Sequence, residues 1–368
     1  MAQLRPHFQN TFTLSDEALV NEYGRLARWI SYARPDLSSD EQADMVRRVL
    51  QSEISAEFHG TWSAGVVAAN PGDRPGVFGV APDAKILPVR VFGLGGQITA
   101  ASLIEAVGYA AARDVDVINL SLGGLLPDQE LSGQMFEIMD ANPDLVIVAA
   151  AGNAQLDGVS FPAALPGVIS VGATTVSGHR TFYSSYGAGL DVVAPGGETH
   201  HRLSGGILTV GGTWVDGFWQ GIDQPHRAWN YTLDPLGHYV RVQGTSFSAP
   251  AVSGVLALMR GAANAPANGP IDGAEKSVNS GQQFDRDRLT EILLATSSYK
   301  ALELTQADHH WYRLQSEVGF GTAMDFPFVR PSGVAGPIEA IAPETYFFGR
   351  GLVNAAAAVE AVTQEVTQ

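Results

Sequence analysis

The sequence predicts an α/β fold: a three-layer, doubly wound and mostly parallel sheet with helices on both faces. Two observations carry this expectation. Short apolar runs at Ile86–Phe92, Val115–Leu122, Leu145–Ala151, Val168–Ala173 and Leu190–Ala194 lack polar alternation, as strands buried on both faces do. Between them lie stretches with apolar residues at helical spacing, Thr99–Arg113 and Leu131–Met139. Strand and helix in alternation indicate a parallel sheet, whose ligands gather beyond the carboxyl ends of the strands.

Composition bounds the function. With 368 residues and 45% hydrophobic content, the chain can bury a large core as one α/β domain or two smaller ones. A net charge of −16 argues against nucleic acid or an anionic membrane as the main partner. The chain has no cysteine, which excludes thiol chemistry, disulfides and cysteine–zinc sites. No apolar run approaches 18 residues, and Met1–Asn10 has neither the basic nor the apolar region of a signal peptide.

Taken in order, residues 1–57 form a helical N-terminal segment and residues 58–368 the main domain. Leu14–Trp29 and Ser38–Leu50 read as two helices joined near Pro35, with Ser15 and Ser39 as caps and acidic residues in their first turns. Residues 196–241, rich in Gly and Trp, read as an ordered insertion whose tryptophans, Trp214 and Trp219 among them, pack within the loop. Residues 264–285 read as a polar linker, Leu289–Thr296 as a helix, 298–343 as an irregular elaboration and Leu352–Val362 as a closing helix. Gly93-Leu94-Gly95-Gly96 lacks a following Lys-Ser/Thr and reads as a turn. His200-His201 and His309-His310 read as loop residues.

The chain is organised around Gly244-Thr245-Ser246-Phe247-Ser248-Ala249-Pro250. Val252, Val255, Leu256 and Met259 follow at helical spacing, so Ser246 opens a packed helix whose N-terminus offers free N–H groups and a dipole suited to an oxyanion. A serine nucleophile needs a base, because its hydroxyl is almost never ionised at neutral pH. Of the nine histidines, only His59 stands at the start of an element, in His59-Gly60-Thr61-Trp62-Ser63-Ala64-Gly65. An oxyanion also needs a donor, and Val146-Ile147-Val148-Ala149-Ala150-Ala151-Gly152-Asn153 places a carboxamide at the carboxyl end of a buried strand.

His-Gly-Thr opening a helix, strand-Ala-Ala-Gly-Asn and Gly-Thr-Ser-x-Ser-Ala-Pro, in this order, closely resemble the subtilisin-like serine proteases. Val77–Ala84, Val117–Gly124, Asp191–Gly196 and Gly349–Ala355 are further family-like stretches. The resemblance implies a subtilisin-like fold and a serine endopeptidase. Ser246 would be the nucleophile, His59 the base, and Asn153 the oxyanion donor. Ser121, Leu122 and Gly123 with Ala150, Ala151 and Gly152 would hold the substrate as an added strand, and Ser160 would lie near the floor of a roomy P1 pocket. It also implies protein or peptide substrates, a monomer acting outside the cell, no required cofactor, and possible structural calcium. Ala69–Gly76 occupies the position of a calcium loop but offers only Asn70 and Asp73 as oxygen ligands.

The chain departs from the family where the catalytic aspartate belongs. No Asp-Ser/Thr-Gly motif precedes His59. Asp36, in Arg34-Pro35-Asp36-Leu37, resembles the His-Pro-Asp-Leu that follows the catalytic aspartate in relatives, and Asp40 and Asp44 fall on a predicted helix. Three accounts stand: a true start upstream of Met1, which is favoured; an impaired enzyme in which the helical N-terminus patches the gap; or an acid from an unexpected position. The alternative function is a peptide-binding protein that keeps the groove around Ser121–Gly123 without turnover.

Overall fold

The computed structural model describes residues 4–73, 75–92, 98–187, 189–199, 203–211, 232–233, 239–264, 284–318 and 341–367. Four of the five predicted runs become strands: β1 (Val117–Leu120), β2 (Val146–Ala150), β3 (Val168–Thr174) and β4 (Val192–Pro195). They lie side by side in chain order, all parallel, with Ile118 opposite Ile147, Val148 opposite Ile169 and Gly172 opposite Val193. Every residue of β2 and β3 is buried, which is why these segments show no polar alternation.

Successive side chains of β2 enter opposite layers. Val146, Val148 and Ala150 pack against Val252, Val255, Leu256 and Met259 of α7 (Thr245–Ala263), with Leu293 of α8 (Arg286–Thr296) and Val362 of α11 (Ala355–Val366) in the same cluster. Ile147 and Ala149 face Leu103 and Val107 of α5 (Ala100–Ala111) and Leu131, Met135 and Met139 of α6 (Gln129–Ala141). Each large apolar side chain taken out of water here contributes about 1.5–3 kcal/mol, so the two layers hold the sheet between them. A second sheet, β5 (Ile207–Val210), β7 (Tyr239–Val242) and β6 (Thr232–Leu233), is antiparallel, with β7 in the middle.

The run Ile86–Phe92 is not a strand. It belongs to no helix or ladder, with Ile86, Leu87 and Val89 exposed and Val91 packed on the α5/α6 layer. The physical reason is a missing neighbour. Among the described residues nothing pairs with the outer side of β1, and a strand without a partner has no ladder to stabilise it.

The N-terminal helices are α1 (Leu4–Thr13), α2 (Asp16–Glu22), α3 (Gly24–Ala33) and α4 (Ser39–Ala68). The predicted helix Leu14–Trp29 is broken at Tyr23, just before Gly24, and Ser15 caps its first half as expected. At α4 the cap is Ser38 rather than Ser39: its hydroxyl accepts from the Glu41 N–H while the Glu41 carboxylate accepts from the Ser38 N–H. Once started, α4 meets no Gly or Pro before Gly60 and runs through. It crosses residues 57 and 58 without a break, and His59 therefore lies well inside a helix rather than at its start. Leu19, Ala27 and Ile30 of α2 and α3 bury themselves against Val46 and Leu50 of α4.

Part of the elaboration at 298–343 is regular. Its helix α9 (Gln306–Val318) carries His309 and His310, which are therefore not loop residues, and α10 (Pro343–Phe348) buries Tyr346, Phe347 and Phe348. A reciprocal cap explains α9: the Thr305 hydroxyl accepts from the Asp308 N–H, and the Asp308 carboxylate accepts from the Thr305 N–H. The helix at Leu289–Thr296 is present as α8, and the closing helix as α11, shifted three to four residues toward the C-terminus. The glycine turn at 93–96, His200-His201, Trp214, Trp219, most of the linker and residues 319–340 lie outside the described residues. No helix among the described residues is long and apolar enough to cross a membrane.

Candidate active site

Ser246 sits in the first turn of α7. The helix begins where it does because Gly244, at φ 140°, makes a turn that L side chains rarely adopt. The Gly244 N–H donates to the Gly196 carbonyl (3.1 Å) and to the Tyr183 hydroxyl (2.9 Å), and Tyr183 donates to the Gly197 carbonyl (2.5 Å). The end of β4 and the start of α7 are thereby tied together. Among the described residues no backbone group accepts from the Ser246 N–H, as expected for a helix N-terminus. The Ser246 hydroxyl donates to the Ser121 carbonyl at 3.2 Å.

Asn153 reaches this helix end from the carboxyl end of β2. Its Oδ1 accepts from both the N–H and the hydroxyl of Thr245, each at 2.9 Å. The Thr245 hydroxyl accepts in turn from the Gly152 N–H at 3.2 Å. Oδ1 is thus committed to two donors, and Asn153 itself is exposed.

His59 comes from α4, which packs along α7. Its ring lies 5.4 Å, centroid to centroid, from that of Phe247, the residue after Ser246. Burial pushes the imidazole down to about 4, with no carboxylate among the causes. The ring is thus neutral at ordinary pH and able to accept a proton, while the Ser246 hydroxyl is turned to Ser121 instead.

The residues expected to hold substrate divide into two groups. Among the described residues no backbone hydrogen bond engages Leu122 or Gly123, whereas Gly124 and Phe161 exchange two bonds of 2.9 Å just beyond them. The Ala151 carbonyl accepts from the Ser160 N–H and the Gly152 carbonyl from the Ser185 N–H, so these groups serve the fold. Ala150 and Ala151 are buried, as is Ser160; a Cβ on Gly152 would meet the Ser160 hydroxyl at 2.2 Å.

Asp36 is not near this centre. It is exposed and paired with Arg34, whose guanidinium holds its carboxyl down at about 2. From Ser39 to His59 the helix rises about 30 Å at roughly 1.5 Å per residue. Asp40 and Asp44 lie along the same rod, within its first two turns. Among the described residues no cluster of three or more His, Asp or Glu could hold a metal. The Asn70 side chain is bound within its own loop, to the Gly72 N–H and the Pro82 carbonyl.

Four residues of the centre escape a reading of the sequence: Asn119, Tyr183, Thr245 and Ser253. Asn119 had a signal, since a carboxamide amid the apolar run Val117–Leu120 needs partners. Those partners are the Ser121 hydroxyl (2.8 Å) and the Ser253 hydroxyl (3.1 Å).

The profile of the subtilase family matches residues 30–311. Thermitase of Thermoactinomyces vulgaris is 30% identical over 248 residues, 67% of this chain and 75% of that protein. Subtilisin Savinase of Lederbergia lenta is 32% identical over 202 residues, 55% of this chain and 62% of that protein. With M-protease of Shouchella clausii the chain spans only 44% of the relative's length. Among solved structures, a protease from Pseudoalteromonas arctica PAMC 21717 superposes with a TM-score of 0.55 at 26% identity, covering 83% of this chain and 71% of that one. The patellamide maturation protease PatA shares the fold at 22% identity and a TM-score of 0.52, covering 83% and 84%.

Proposed function

The chain belongs to the subtilase family, and from that premise we propose that it is a serine endopeptidase that cleaves peptide bonds through an acyl-enzyme. Family membership and protease relatives support peptidase activity in general. The observation that carries the finer reading is the tether from Thr245 to Asn153, which aims a carboxamide at the N-terminus of the helix that bears Ser246.

In this reading the Ser246 hydroxyl attacks the scissile carbonyl as His59 takes its proton. The oxyanion is held by Asn153 Nδ2 and the Ser246 N–H, and the α7 dipole favours the same charge. His59 then returns the proton to the departing amine, and water repeats the sequence on the ester. An extended substrate lies along Leu122 and Gly123, whose backbone groups are open to it. Substrates in this reading are proteins or peptides and the working form is a monomer; the name of the extracellular protease of Xanthomonas campestris suggests, by analogy alone, action outside the cell. Calcium enters this reading as a structural ion alone.

No described carboxylate steadies His59. Loss of the acid alone lowered turnover by about 3 × 10⁴ in subtilisin, so activity of the described centre by itself is expected to be weak. That absence, with the Ser246 hydroxyl turned to Ser121, favours a second reading: a peptide-binding protein without turnover. A fluorophosphonate probe and a casein digest separate the two. The endopeptidase predicts labelling and cleavage that both vanish in Ser246→Ala; the binding protein predicts neither, with peptide affinity by calorimetry unchanged in the variant.

A further inference from the structure

Pro250 stands inside α7, four residues after Ser246. A proline there has no N–H to donate to the Ser246 carbonyl, and its ring crowds that same carbonyl. The orphaned acceptor belongs to the residue on which the proposed chemistry turns. It is satisfied from another element: the Ser121 hydroxyl, at the end of β1, donates to the Ser246 carbonyl at 2.6 Å. A hydroxyl rotates freely unless something fixes it, and here Asn119 does. Asn119 Nδ2 donates to Ser121 Oγ at 2.8 Å, which fills the acceptor side of the hydroxyl and leaves its proton for Ser246. The carboxamide oxygen lies 3.1 Å from the buried Ser253 hydroxyl, whose one proton is shared between Asn119 Oδ1 and the Ala249 carbonyl, also at 3.1 Å.

We propose that Asn119, Ser121 and Ser253 are positioning residues that replace the helical hydrogen bond removed by Pro250 and so set the direction of the Ser246 peptide. The geometry gives the replacement a purpose. The Ser246 N–H and side chain share one backbone with this carbonyl. Holding the carbonyl on β1 holds the nucleophile in register with the strand along which the substrate lies. The inference rests on the endopeptidase reading for its functional meaning, though not for its geometry.

Because Ser121 meets substrate through its backbone and Ser246 through its side chain, Ser121→Ala is expected to lower kcat by about ten- to a hundredfold, the scale of a misplaced reacting group, with KM nearly unchanged. Ser121→Thr, which keeps the hydroxyl, should recover activity to within a few-fold, and Asn119→Ala should act in the same direction as Ser121→Ala. The decisive comparison is in a Pro250→Ala background, where the restored N–H makes Ser121 dispensable and Ser121→Ala should cost no more than a few-fold. Equal losses in both backgrounds, or full kcat in Ser121→Ala, would overturn the proposal. A readout independent of turnover is the carbon-13 shift of the Ser246 carbonyl. It should move upfield in Ser121→Ala and stay in Ser121→Thr; no movement in Ser121→Ala overturns the proposal even in a protein that proves inactive. Absence of fluorophosphonate labelling in the unsubstituted protein counts instead against the endopeptidase reading, so the two fail separately.

Discussion

Ser246 is reached from β1, from the loop after β2 and from α4, segments that lie roughly ninety or more residues before it in the chain. Each contributes one property: a fixed carbonyl, a fixed carboxamide, a neutral imidazole. Asn153→Ala removes the carboxamide, and kcat is expected to fall on the order of 10²–10³-fold with KM little altered, the size of effect measured for such a donor in subtilisin. Steady-state kinetics on a peptide ester check it, and an unchanged kcat excludes Asn153 from the oxyanion site. His59 makes a prediction in pH. Its folded value near 4 lies below the unfolded value of about 6.5, so the unfolded chain binds a proton first as pH falls. Stability is therefore full above about 6.5 and declines between there and 4, a decline that His59→Gln should flatten in urea titrations. The acid limb of kcat/KM should likewise lie near 4 rather than near 6.5; a limb at neutral pH would mean that a carboxylate joins the imidazole in the working enzyme.

At the scale of elements, the packing of α4 on β5 depends on a small residue. A Cβ on Gly65 would come within 2.4 Å of the Thr209 hydroxyl and 2.5 Å of a Val210 methyl. Both neighbours are β-branched and stiff, so they cannot swing aside. Alanine gains roughly 1 kcal/mol of helix propensity, and the overpacking costs about 1–3 kcal/mol. Gly65→Ala should therefore lower the urea midpoint, and a raised midpoint would show that β5 yields. The four parallel strands are readable in the sequence, because burial leaves continuous apolar runs. The segment Ile86–Phe92 has the same composition yet no ladder, since strand formation depends on a neighbour that the segment itself does not encode. In the sequence, His59-Gly60-Thr61 reads as the start of an element. The helix-forming residues before it extend α4 across that point. Asn153 and Ser246 were legible from motifs; Thr245, Tyr183 and Ser253 were not, because their partners lie far away in sequence.

At the scale of the whole molecule, one ion pair joins the C-terminal elaboration to the sheet. Arg180 and Asp308 meet at 2.7 Å with side chains 5% and 2% exposed, and the guanidinium also lies over the rings of Tyr186 and Phe347. Removing one partner strands a buried charge, so Asp308→Ala is expected to cost about 3–5 kcal/mol of unfolding free energy. Differential scanning calorimetry checks it; a loss below 1 kcal/mol would show that water reaches the arginine. The outer margin of β1 has a different bearing on behaviour in solution. Its backbone polar groups have no ladder partner among the described residues, and Ile86, Leu87 and Val89 stand exposed on a neighbouring stretch of chain. Bare hems of this kind stitch to one another, so concentrated samples should scatter light increasingly with time while dilute ones stay clear, and a lysine at Val89 should delay the clouding.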